Sequence, residues 1–344
     1  MFDTLTRRLL MTVTAATMIA VAAGGPAAAT EERSYLLATA TTGGTYYPVG
    51  VALATLTKVK LQPKEKVSLS AITSAGSGEN IKLLRENQVQ FAILQGLYGA
   101  WARTGGGQLA ADGPQKNLRS ITMLWQNVEH FVVRSEHAKT GTAADLANLK
   151  GRKFSIGERN SGTEGSGRVI LAGLGIDPDN TFDLVFMGYN PSADALQNGT
   201  IDGINTPAGV PVAAVTRLAA ALGDRIRVLD FTAEQTAAAN KAVGVDLWTR
   251  FVIPAGTYPG QAKDIETVGQ PNFLAVRDDV DEDAVYMITK AIFENLGFIQ
   301  AIHKATNEMT LERAMDGLPL PLHPGAARYY RERGLAIPAA LIAE

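Results

Sequence analysis

Cysteine is missing from all 344 residues. The chain therefore has no disulfide, no thiolate metal ligand, no cysteine nucleophile and no cysteine to carry a lipid. Histidine is scarce: His130, His137, His303 and His323 are the whole supply, and no two stand at metal-ligand spacing. Charge is sparse as well, at 19% of residues with a net value of -2, and no basic block is interleaved with aromatics. That argues against a nucleic-acid partner. The sequence also lacks G-x-x-x-x-G-K-[ST], a G-x-G-x-x-G after a strand, H-E-x-x-H and G-x-S-x-G. These absences remove the usual signatures of phosphate-loop, dinucleotide, zinc-protease and serine-hydrolase chemistry. No metal or cofactor is expected.

What is present is a globular composition. The 46% hydrophobic content is too high for intrinsic disorder, and the length suits about two domains of 100–200 residues. The first stretch reads apart from the rest. "TRRLLMTVTAATMIAVAAGGPAAAT" sets Arg7 and Arg8 before an apolar run and then small residues, the layout of a signal peptide over residues 1–29. Ala27 and Ala29 fit an A-x-A site, so cleavage near Ala29 and a periplasmic location are expected. The Thr-Arg-Arg-Leu-Leu order also resembles a twin-arginine export signal.

From residue 34 onward, strand-like and helix-like runs alternate. Ser34–Thr39, Val67–Ile72 and Phe91–Leu94 read as strands, with helices opening at Pro48 and near Glu79. A second unit repeats the pattern, with strands at Lys153, Phe182–Phe186, Ile201–Asn205 and Ile226–Leu229. Such alternation predicts α/β lobes built on parallel sheets. Leu118–Arg134 and Val252–Val276 are expected to be linkers crossing between the lobes.

Three strand-to-helix loops share one character: "ATTGGTYY" (Ala40–Tyr47), "TSAGSGEN" (Thr73–Asn80) and "GERNSGTEGSG" (Gly157–Gly167). A helix start leaves backbone N–H groups without partners, and its dipole favours negative charge. Glycine lets a ligand approach the backbone, and serine or threonine adds adjustable donors. Three such loops aimed at one cleft would hold an anion without a metal; the alternative is ordinary helix capping. On the binding reading, Thr45→Ala and Ser161→Ala should each weaken binding and leave the melting point nearly unchanged.

These residues also resemble a known family. "GGTYYPVG", "TSAGSGENIKLLRENQVQFAILQ", "IGERNSGTEGSGRVILAGLGI", "NGTIDGINTPAGVPV", "IPAGTYPGQAKDIETVG" and "PLHPGAARYYRERG" are similar to motifs of the TAXI class of periplasmic solute-binding proteins, the extracytoplasmic partners of tripartite TRAP transporters. The resemblance implies a two-lobed periplasmic binding protein fold, type II-like, with a ligand cleft between lobes joined by hinge strands. Residues 30–125 plus 260–344 would form one lobe and 126–259 the other. It implies a non-enzymatic protein that passes a small anionic solute to TRAP membrane permease subunits. L-glutamate or a related amino acid is the favoured ligand, with a 2-oxoacid or dicarboxylate such as 2-oxoglutarate as the alternative. A receptor that presents its ligand to a sensor, or a periplasmic hydrolase, would be the rival classes.

Carried onto this chain, the ligand-binding residues would be Thr42, Gly44, Thr45, Tyr46, Tyr47, Ser77, Asn80, Gln95, Ser161, Gly162, Thr163 and Asn205. Two departures stand out. "GLYGA" follows Gln95 where members often carry an acid, and Trp125–Asn127 stands where many carry Tyr-Pro-Glu. Both remove an acceptor for an ammonium group, for which Glu79 or Glu129 is a candidate substitute. Arg159 is a candidate partner for a second carboxylate.

Overall fold

A computed structural model of the protein describes residues 31–342. The expected signal peptide, with Arg7, Arg8, Ala27 and Ala29, lies outside the described residues. In chain order the strands are β1 (Arg33–Ala38), β2 (Val67–Ile72), β3 (Phe91–Gln95), β4 (Leu118–Val128), β5 (Phe131–Arg134), β6 (Lys153–Ser155), β7 (Asp183–Val185), β8 (Gly203–Asn205), β9 (Ile226–Val228), β10 (Thr249–Ile253) and β11 (Ile265–Arg277). They make two sheets. The first runs β10-β11-β3-β1-β2, with β4 also paired to β11. The second runs β7-β6-β8-β5-β9.

Each sheet has a parallel part, and that part positions the site. β1 pairs in parallel with β2 and β3, and β6 pairs in parallel with β7 and β8. Parallel strands need crossover helices, so their carboxyl ends all point to one side and each feeds a helix there. Four helices matter: α1 (Tyr46–Lys60) after β1, α2 (Ser77–Arg85) after β2, α3 (Gly162–Gly173) after β6 and α4 (Tyr189–Gln197) after β7. Pro48 sits in the first turn of α1, where a missing N–H costs no intrahelical bond. β3, "FAILQ", is buried along its whole length, as a strand covered on both faces must be.

The stretch expected as a first linker is strand almost throughout. β4 and β5 are separated by two residues only, Glu129 and His130, and the chain passes from the first sheet to the second there. The second expected linker likewise holds most of β11. The apolar, turn-free run "LRSITMLWQNV" is explained by burial: nine of its eleven residues are inside, so it shows no alternation. β10, which falls within residues 126–259, pairs with β11 in the first sheet. Among the described residues, no helix is long and apolar enough to cross a membrane.

Candidate functional site

Between the two sheets lies a cavity of about 30 Å³, room for one or two waters. The first sheet's side supplies Thr41, Gly44, Thr45 and Tyr46 from the β1–α1 loop, Gly76 and Ser77 from the start of α2, and Gln95 from the end of β3. The second sheet's side supplies Gly162 and Thr163 from α3, Tyr189 from α4, and Pro207 and Ala208 beyond β8. Asn127, near the end of β4, closes the floor. All four helix starts therefore meet one space.

The wall offers donors. The amides of Ser77 and Gly78, and of Gly162 and Thr163, donate to no acceptor among the described residues. They are the first-turn groups that a helix leaves unpaired, at its positive end. No lysine or arginine lines the cavity.

The two sides touch across the cavity. Glu79 N–H donates to Asn160 O at 2.9 Å, Tyr98 Oη donates to Ser161 O at 3.0 Å, and Thr45 Oγ1 donates to Gly209 O at 3.2 Å while accepting from Gly209 N–H at 3.1 Å. These contacts tie the first sheet's side of the cavity to the second's.

The floor is rich in unpaired polar atoms. Gln95 Oε1 and both amide atoms of Asn127 and of Asn205 are buried without a hydrogen-bond partner. So are both oxygens of Glu129, whose side chain is fully buried. Ser166, Asn205 and the Trp248 indole surround that carboxyl, and no basic residue acts on it. Burial pushes its pKa up to about 7, and those three neighbours pull the other way. His130, next along the chain, is also fully buried. Its Nδ1 bonds Val128 O at 2.8 Å and its Nε2 bonds Tyr258 Oη at 2.7 Å. With Tyr258 Oη already accepting from Val212 N–H, the arrangement holds His130 as the neutral Nδ1–H tautomer. Burial lowers its pKa to about 4.

The structure sorts the expected binding residues. Gly44, Thr45, Tyr46, Ser77, Gln95, Gly162 and Thr163 come together on the cavity wall. Thr42 stands exposed at the mouth, where Asn190 Nδ2 reaches its hydroxyl, and Tyr47 is half-buried off the wall. Asn205 lies just behind the wall. Asn80 is not brought to the cavity: its Nδ2 donates to Thr39 O and Ile93 O, and its Oδ1 accepts from Ser74. It ties strand ends together. Ser161 Oγ accepts from Glu164 N–H at 3.0 Å and is a helix cap. Arg159 stacks over the Phe186 ring, 3.7 Å from its centroid, and does not line the cavity. Sequence reasoning missed Tyr189, whose Oη donates to Pro207 O at 2.5 Å and shares a bond with Thr163 at 2.9 Å. The signal was there: "MGYNPSADAL" is a fourth strand-to-helix loop.

Thr45 and Ser161 thus part company. The Thr45 hydroxyl makes no cap bond and spans the cleft, so Thr45→Ala should cost ligand affinity about tenfold, at about 1 kcal/mol per hydrogen bond lost. The free protein's melting point should stay put. Ser161→Ala should instead lower stability by about 1 kcal/mol, the usual worth of a cap. Calorimetric titration and thermal melts of both variants would expose a reversed pattern.

The profile of the NMT1-like family matches residues 37–334. Among solved structures, MatC from Rhodopseudomonas palustris with bound malate shares 13% identity over 87% of this chain and 97% of its own, at a TM-score of 0.54. A Bordetella bronchiseptica RB50 protein shares 16% identity over 88% and 82%, at 0.50. The periplasmic aliphatic sulphonate binding protein SsuA from Escherichia coli shares 14% over 88% and 84%, at 0.44. The fold is the α/β, two-sheet fold of periplasmic binding proteins.

Proposed function

The chain belongs to the NMT1-like family, and from that premise we propose that it is an exported solute-binding protein that captures a small carboxylate and closes over it. The observation that carries this reading is the meeting of four helix starts from two sheets at one cavity, with unpaired amides on both sides of the gap. A helix terminus contributes about 0.3–1 kcal/mol to holding an anion at an exposed site, and up to about 2 when partly buried. Micromolar affinity needs about 8 kcal/mol. Several termini and the exclusion of water must therefore act together, which closure provides. The solute touches both lobes only when they are shut, so its binding energy favours the shut form.

The finer reading follows the sequence motifs: a TAXI-type protein that delivers L-glutamate or a related amino acid to TRAP permease subunits. A second reading is a 2-oxoacid or dicarboxylate, which the malate held by the similarly folded MatC supports. No catalytic role is assigned. Ser77 Oγ is engaged by Gln95 N–H and Ser161 Oγ by Glu164 N–H, and the buried His130 is committed to Val128 and Tyr258.

A thermal-shift panel of amino acids, 2-oxoacids and dicarboxylates tests the reading. A ligand at 100 times its dissociation constant should add about 2.7 kcal/mol, a rise of several degrees. A flat panel, with the protein folded, would refute it.

A further inference from the structure

Tyr189 opens α4, and its side chain bridges the gap that the cavity occupies. At one end its ring lies against Gly44, on the first sheet's side: a Cβ there would stand 3.0 Å from the ring carbon Cε2. At the other end its Oη donates to Pro207 O at 2.5 Å. That bond uses the phenol's only proton, so in the 2.9 Å bond between Tyr189 and Thr163 the threonine hydroxyl donates. The hydroxyl proton that a carboxylate at the start of α3 would take is therefore already held by Tyr189. The space left beside the ring suits one or two waters, less than a carboxylate with any carbon chain attached.

Of the two tyrosines on the wall, Tyr189 is the one able to move. Tyr46 is 8% exposed, its Oη donates to Asn272 Oδ1 at 2.5 Å and its ring packs edge-on against Trp125. Tyr189 is partly exposed. Both partners of its Oη, Thr163 and Pro207, lie on its own side of the gap, so displacing the phenol breaks no hydrogen bond between the two sides. Its neighbour Asn190 reaches the Thr42 hydroxyl at the mouth, which places the ring close to solvent.

Resting on the reading above, we propose that Tyr189 is a built-in occupant of the cleft and sets the largest solute that the cleft accepts. Its phenol holds the Thr163 hydroxyl until a solute carboxylate displaces it. The displaced ring, still fixed to the start of α4, then stands against the far end of the solute and bounds its length. A packed side chain does not compress, so such a boundary rejects longer solutes by clash.

Calorimetric titration with two series of rising size tests this: L-alanine, L-glutamate and L-glutamyl-L-alanine, and pyruvate, 2-oxoglutarate and citrate. Tyr189→Phe keeps the ring and frees Thr163. It should tighten the best-bound probe about tenfold, the lower end of what two hydrogen bonds contribute. Tyr189→Ala removes the ring, and should raise the affinity of the largest member of that probe's series over the smallest at least tenfold. Weaker or unchanged binding in Tyr189→Phe would overturn the competition between phenol and solute. An unmoved size ratio in Tyr189→Ala would overturn the size limit; if that variant does not fold, Tyr189→Phe decides alone. Either result leaves the solute-binding reading standing, whereas binding of none of the six probes by the unsubstituted protein or its variants would overturn that reading as well.

Discussion

Glu129→Gln should make the free protein more stable at pH 8, by about 3 kcal/mol, and change it little at pH 4.5. The reason is the displaced pKa. Glu129 titrates at about 7 when folded, against 4.5 for the unperturbed group, and each unit corresponds to about 1.4 kcal/mol. Below 4.5 both the folded and the unfolded chain carry the proton, and the site costs nothing. Between 4.5 and 7 the unfolded chain gives it up while the folded one keeps it, so stability falls as pH rises. Above 7 the folded chain holds a buried, unpaired anion, and the whole penalty is in force.

His130 works in the opposite direction. Its folded value is about 4 against 6.5 unperturbed, so acid loads a proton on the unfolded chain first and stability falls as pH drops from 6.5 to 4. Between 4.5 and 6.5 the two groups offset each other, one proton against one. Removing Glu129 should unmask the histidine: Glu129→Gln should lose about 3 kcal/mol between pH 6.5 and pH 4 that the unsubstituted protein largely keeps. Urea titrations at four pH values would show it. Parallel pH profiles for the two proteins would refute the assignment.

The second large effect concerns closure. A Cβ on Gly78 would come closer than 3.0 Å to Asn160 O, a backbone atom of the opposite lobe. No rotamer relieves that contact, and the neighbouring bond from Glu79 N–H to Asn160 O is part of the same seam. Gly78→Ala should therefore weaken solute binding by on the order of 100-fold, about 2.7 kcal/mol. The open protein should be no less stable, because alanine is the better helix residue by up to about 1 kcal/mol. Small-angle scattering should show the solute-induced contraction in the unsubstituted protein and none in the variant. Gly162→Ala is the control: its Cβ meets the movable Gln95 side chain, and the loss should be smaller. Equal losses in the two would argue against a seam at Gly78.

How far the sequence was readable follows from what each residue is paired with. The three hydroxyl-rich loops could be seen because glycine, serine and threonine before an apolar run have a local meaning, and the loops reach the cavity through the parallel strands that precede them. The roles of Asn80 and Ser161 could not be separated from ligand contact by type or position. Asn80 serves two carbonyls 41 and 13 residues away, and Ser161 serves an amide three residues on; only geometry tells such bonds from a solute. Asn127 stood among the departures and Glu129 among the candidate substitutes, yet their place depends on β4 being a buried strand whose end leads into the second sheet. Its run of inside residues carries no period to announce it. Tyr189 opens a helix as the other loops do, but its loop has one glycine and no hydroxyl ahead of it, so it gave a weak signal.

The elbow where the chain leaves one sheet for the other is two residues long, and both residues are ionisable. In the proposed opening, a swing about this elbow would fall on Glu129 and His130, both fully buried in the form described. Those two residues would then couple opening to their own protonation, since Glu129 and His130 titrate away from their ordinary values when buried.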